Sequence, residues 1–168
     1  MNDLAQRLVR LRAELRVDRE ALAHLADEIA AARARLAGRD PDGFEARALG
    51  SLVHDIYAGV ERALQRIAKD LNGGLPTGAE WHRDLLRQMT LDLPDVRPPV
   101  LSAHLATRLA PYLGFRHLVR NVYGFEIEWP RLRPLIENAG DVIAAVHLAL
   151  DGLDEHLARI TAALARQP

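Results

Sequence analysis

The sequence predicts an all-α fold, an up-and-down bundle of four long helices with short helices between them. Three observations predict the helical class. Apolar residues recur at steps of three, four and seven along most of the 168 residues. No stretch alternates with a period of two for long enough to make a strand, and the periodic stretches are separated by short loops rich in Gly, Pro and Asp. A single domain over 1–168 accommodates this, with a long N-terminal helix over 1–38 and the rest of the bundle over 44–168.

Leu4, Leu8, Leu11, Leu15, Leu22, Leu25, Ile29 and Leu36 form the apolar stripe of the first helix, with arginines and acids on its other faces. That heptad-like stripe suits either a bundle helix packed on its own chain or one strand of a coiled-coil dimer. Gly38 and the Arg39-Asp40-Pro41-Asp42-Gly43 run end it. The second helix is expected over Phe44 to Leu71, with Leu52, Ile56, Val60, Leu64, Ile67 and Leu71 inward and Asn72-Gly73-Gly74 as its stop. A short helix follows from Glu80 to about Thr90, then a turn through Pro94, Pro98 and Pro99 that no helix interior tolerates. The third long helix spans 100–123, kinked or divided at Pro111. After Gly124-Phe125-Glu126-Ile127-Glu128-Trp129-Pro130, a short segment over 131–138 should break at Gly140, and Asp141 should cap a last helix running to Leu164.

Composition removes several function classes. The chain is 49% hydrophobic and 27% charged, an ordinary globular balance. It has no cysteine, which excludes disulfides, zinc–thiolate sites and thiol nucleophiles. With 22 basic and 23 acidic residues the formal net charge is −1, unlike the basic excess of a dedicated duplex-DNA binder. All the basic residues except Lys69 are arginine, a bias that fits a GC-rich coding sequence. The segment MNDLAQRLVRLRAEL lacks the apolar run of a signal peptide, and no stretch reaches the roughly 18 apolar residues of a membrane span, so a cytoplasmic protein without membrane contact is expected. There is no HExxH pattern, P-loop, Gly-rich nucleotide fingerprint or GxSxG elbow, so neither a metal nor a cofactor is implied.

The densest chemistry lies in Phe115-Arg116-His117-Leu118-Val119-Arg120-Asn121-Val122-Tyr123-Gly124. At about 100° per residue, Phe115, Leu118, Val119 and Val122 gather on one side, while Arg116, His117, Arg120 and Asn121 share the other, with Tyr123 two turns beyond Arg116. Two arginines one turn apart repel unless an anion lies between them, which suits a phosphate. The structural alternative is that they are solvated or paired with acids of a neighbouring helix, such as Asp55 or Glu61. Glu61 sits on an otherwise apolar helix face, so it enters as a minor candidate for the site. His54, His82, His104, His147 and His156 are scattered and read as polar bundle residues, and Trp81 and Trp129 as packing residues.

The segment Arg116–Tyr123 resembles the signature of HEPN ribonucleases: an arginine, a polar residue, a histidine four to six positions on and, in the HepT branch, a tyrosine two positions after that. Leu52-Val53-His54-Asp55-Ile56-Tyr57-Ala58-Gly59-Val60-Glu61, Trp81-His82-Arg83-Asp84-Leu85-Leu86 and Phe125-Glu126-Ile127-Glu128-Trp129 extend the likeness to a HepT-like subfamily over about residues 44–150. Arg116 takes the place of the arginine and Tyr123 that of the tyrosine. Asn121, however, stands where the family has its catalytic histidine, and His117 fills a slot where many members carry a small polar residue.

The resemblance implies a HEPN fold and a toxin of a type II or type VII toxin–antitoxin pair, a metal-independent endoribonuclease acting on RNA as a homodimer with the two motifs facing one cleft. It also implies a partner, a nucleotidyltransferase antitoxin that attaches AMP to Tyr123 and so places charge and bulk over the arginines. In such a site Arg116 and Arg120 grip phosphate, His117 moves protons and Asn121 orients the scissile group. The exchange of His and Asn leaves two outcomes. Either His117 supplies the acid–base function, or cleavage is weak or lost and the chain is a HEPN binding or scaffold module for the nucleotidyltransferase. For Tyr123 the alternative is a packing tyrosine with a satisfied hydroxyl.

Overall fold

A computed structural model describes residues 3–121 and 127–166, the side chains of Arg120 and Asn121 excepted. Five helices follow one another: α1 (Asp3–Leu36), α2 (Gly43–Leu71), α3 (Trp81–Gln88), α4 (Ala103–Asn121) and α5 (Trp129–Ala165). Four are long and α3 is short, so the bundle expected from periodicity is the one observed. No described helix is long and apolar enough to cross a membrane.

The stripe of α1 buries Leu8, Leu11, Leu15, Leu22, Ile29 and Leu36 against α2 and α5 of the same chain, as a bundle helix does. Its flanks are tied down by ion pairs. Arg12 reaches Asp154 of α5 at 2.7 Å, and the buried Asp18 accepts from both Arg62 and Arg66 of α2. At Gly59 the first two helices come so close that a Cβ would lie 3.0 Å from Leu22 Cδ2. Asp42 caps α2 through the amides of Phe44 and Glu45, while Glu45 returns a bond to the Asp42 amide. Gly73 and Gly74, at positive φ, then take the chain out of the helix, with the Gly74 amide still bonded to the Ala68 carbonyl.

Three sequence expectations need correction. Pro111 does not divide α4, which runs through it. It lies on the exposed face, so the amide it lacks would have served only the carbonyl of the exposed Thr107, while Leu109, Tyr112 and Leu113 hold the inner face in the core. The helix starts at Ala103 rather than at 100, because the Ser102 hydroxyl accepts from the Leu105 amide as a cap. Likewise Gly140 does not break the last helix and Asp141 does not cap it; both lie on the exposed face inside α5. The apolar stripe Leu132, Leu135, Ile136, Ala139, Val142, Ile143, Val146 passes through that point without a gap. Burying it outweighs the cost of about 1 kcal/mol for a mid-helix glycine.

The stretch between α3 and α4 is organised by one side chain. Arg97 is 2% exposed and donates to Asn72 Oδ1 and to the carbonyls of Gln88, Leu91 and Pro98. Leu93 and Arg97 also exchange backbone hydrogen bonds. The end of α2, the end of α3 and the approach to α4 are thereby pinned to a single guanidinium, which sets where α3 lies.

Candidate active site

Helix α4 packs on α2, α3 and α5, so a wide arc of it is interior. Phe115 and Arg116 are both buried. The Arg116 guanidinium donates from Nη2 to Glu61 Oε2 at 2.9 Å, across to the middle of α2. Glu61, 2% exposed, uses its other oxygen for His82 Nδ1 on α3. Because a carboxylate only accepts, that bond requires the proton on Nδ1 and leaves His82 Nε2 as the free ring nitrogen. Arg116 Nη1 approaches the same Nδ1 at 3.5 Å, two donors drawn to one carboxylate. His117 stands beside them, its ring edge-on to His82 with centroids 5.0 Å apart, while Trp81 stacks on His82 at 3.6 Å.

The electrostatics follow from burial. His117 is held below its ordinary value first by desolvation and then by positive charge at His82 and Arg116, with Glu61 and Glu80 opposing. It is therefore a neutral imidazole near pH 7. Burial pushes the Tyr57 hydroxyl up, and the Glu61 charge adds to this, so the phenol beneath the cluster stays protonated. Both histidine rings open on a cleft of about 380 Å³ between α3 and α4, lined also by Leu86, Ala110 and Leu113, with Glu80 and Arg83 beside them.

The sequence-predicted residues are distributed as follows. Arg116 and His117 meet at the three-helix junction, and Glu61, a minor candidate by sequence, is its centre. The side chains of Arg120 and Asn121 lie outside the described residues, as does Tyr123 altogether. Of the two readings open for Arg116, a phosphate-gripping face or a pair with an acid of a neighbouring helix, the structure has the second, with its charge matched internally by Glu61. His82 was missed. The signal was present, because His82, Leu85, Leu86 and Met89 fall at i, i+3, i+4 and i+7 and make His82 part of the inward stripe of α3. An acid on the apolar face of α2 equally required a buried partner.

No curated protein and no solved structure matches the chain. A family model described as HepT-like protein matches residues 48–157, a span that holds Glu61, His82, Arg116 and His117. The chain belongs to the HepT-like family.

Proposed function

We propose that this chain is the toxin of a toxin–antitoxin pair, a metal-independent endoribonuclease that acts on RNA as a homodimer. In this reading a nucleotidyltransferase antitoxin silences it by transferring AMP to Tyr123. Beside the family membership, one observation carries the nuclease part: a neutral imidazole, His117, placed at a cleft next to a fixed Arg–Glu–His cluster. RNA cleavage without a metal needs a base to take the 2′-hydroxyl proton as the oxygen attacks phosphorus, and His117 has the neutral form that work requires. Arg116 acts by position, locking Glu61 and the end of the motif helix. The phosphoryl charge falls to Arg120, and Asn121 orients the scissile group.

A second reading has its own support. Arg116, the motif arginine, is committed to Glu61 rather than open to phosphate, and Asn121 replaces the family's histidine. On that basis the chain would be a catalytically silent HEPN module that binds the nucleotidyltransferase.

The two separate on expression. The nuclease reading expects growth arrest relieved by the nucleotidyltransferase, and cleavage of RNA by the purified chain in the presence of a chelator, lost in His117→Ala. A stable complex with the nucleotidyltransferase and neither arrest nor cleavage refutes it in favour of the second. Mass spectrometry after co-expression tests the modification: the wild-type chain should gain AMP and Tyr123→Phe should not.

A further inference from the structure

We propose that His82, held by Glu61, is a second proton-transferring residue of the site and acts beside His117 at the cleft between α3 and α4. The proposal rests on the nuclease reading and adds to it a residue outside the motif helix.

Four observations lead to it. The rings of His82 and His117 come from different helices, yet lie 5.0 Å apart at the wall of the same cleft. His82 is oriented rather than loose, because Glu61 fixes Nδ1 and Trp81 covers one ring face. A buried carboxylate engaging the inner nitrogen while the outer one stays free is the arrangement that fixes a proton-transferring imidazole in one tautomer and orientation. Finally, the two rings sit in unequal surroundings. The Glu61 carboxylate contacts His82, whereas His117 has no such partner among the described residues and is held below its ordinary value by burial. Two adjacent titratable groups in unlike environments divide the acid and base roles between them.

The chemistry then balances. His117 takes the proton of the 2′-hydroxyl as that oxygen bonds to phosphorus. The bond from phosphorus to the 5′-oxygen breaks, and His82 gives its Nε2 proton to the departing oxygen. The products are a 2′,3′-cyclic phosphate and a free 5′-hydroxyl. One proton has moved from substrate to His117 and one from His82 to product, and exchange with water restores both rings.

Among the described residues, the charged and titratable groups around the pair are Tyr57 and Glu61 from α2, Glu80 and Arg83 from α3 and Arg116 from α4. An acid and a base acting together give the rate a definite dependence on pH. Activity on RNA falls on the acid side, where the base is protonated, and on the alkaline side, where the acid has given up its proton.

The test compares RNA with a ribonucleoside 3′-(4-nitrophenyl) phosphate, whose leaving group departs as an anion and needs no acid. For the wild-type chain the profile on RNA should be bell-shaped, and the alkaline limb should vanish on the activated ester. His82→Asn, whose amide can still donate to Glu61, should lower RNA cleavage by about 10²–10⁴-fold and ester cleavage by at least about tenfold less. His117→Ala should impair both substrates alike. Equal losses on the two substrates in His82→Asn would mean that His82 only supports the structure, and overturn the proposal. So would full activity on RNA in that variant, or an alkaline limb that persists on the ester, a result obtained without any variant. A wild-type chain that cleaves neither substrate removes the nuclease reading and this assignment with it, whereas cleavage indifferent to His82 removes this assignment alone.

Discussion

Replacing Glu61 by leucine removes one charge from the centre of the three-helix junction while keeping the side-chain volume close. Glu61 is 2% exposed and both its oxygens are engaged, by Arg116 Nη2 and by His82 Nδ1. Its loss strands a guanidinium and a ring N–H in the interior. Removing one partner of a buried ion pair costs about 3–5 kcal/mol. The cleft beside His82 admits some water, which places Glu61→Leu near the lower end, at about 3 kcal/mol. The double variant Glu61→Leu/Arg116→Met removes both charges and leaves only the His82 N–H without its acceptor, a penalty of about 1–3 kcal/mol. The double variant should therefore be more stable than Glu61→Leu alone. Urea unfolding followed by helical circular dichroism measures this. With a slope near 2 kcal/mol/M, the single change should lower the midpoint by about 1.5 M, and the second should restore part of it. A single variant costing under about 1 kcal/mol, or two effects that simply add, would refute the internal pairing of Arg116.

Three further outcomes are expected. Arg97→Met removes four part-buried side-chain hydrogen bonds, three of them to backbone carbonyls, and should cost about 3 kcal/mol, measured as a fall in the urea midpoint. Asp42→Ala deletes the acceptor for two amides at the start of α2 and should cost about 1 kcal/mol, with faster hydrogen exchange confined to the Phe44 and Glu45 amides. The folded-state value of His117 lies below its ordinary 6.5, so the unfolded chain takes up the proton first as pH falls. The stability it contributes is whole above about pH 6.5 and drains away below it, towards the lower folded value. His82, Arg116, Glu61 and Glu80 face that ring and remain in His117→Asn, so the difference in midpoint between wild type and variant should shrink from pH 8 to pH 5.

Local rules carried the sequence reading a long way. The ends of α1 and α2 were legible because the signals are local: Gly38 at positive φ, an Asp42–Glu45 capping box, and the Asn72-Gly73-Gly74 exit. Local rules misled at Gly140 and Asp141, where a good stop signal lies on the solvent side of a stripe that α1, α2 and α4 cover continuously. The site divided in the same way. Arg116 and His117 were found through their spacing on one helix. The burial of Arg116 was not, because a helical wheel drawn for α4 alone assumes one covered face, and this helix is covered by three neighbours. The pairing of Glu61 with His82 joins residues 21 positions apart on helices whose contact no local pattern specifies.

The placement of α3 connects these points. Eight residues make a helix too short to persist on its own, so α3 is where it is because other groups hold it. Leu85 and Leu86 are buried on its inner face, Glu61 fixes His82 at its start, and Arg97 binds the Gln88 carbonyl at its end. The same guanidinium reaches Asn72 at the end of α2. The distance between the two imidazoles is therefore set from both ends of α3, by an internal ion cluster at one and a buried arginine at the other. Neither anchor lies at a position where the HEPN motif would direct attention, apart from Arg116, whose part is to hold Glu61. The motif helix supplies one ring, and the geometry that could make two rings work together is built by residues between α2 and α4.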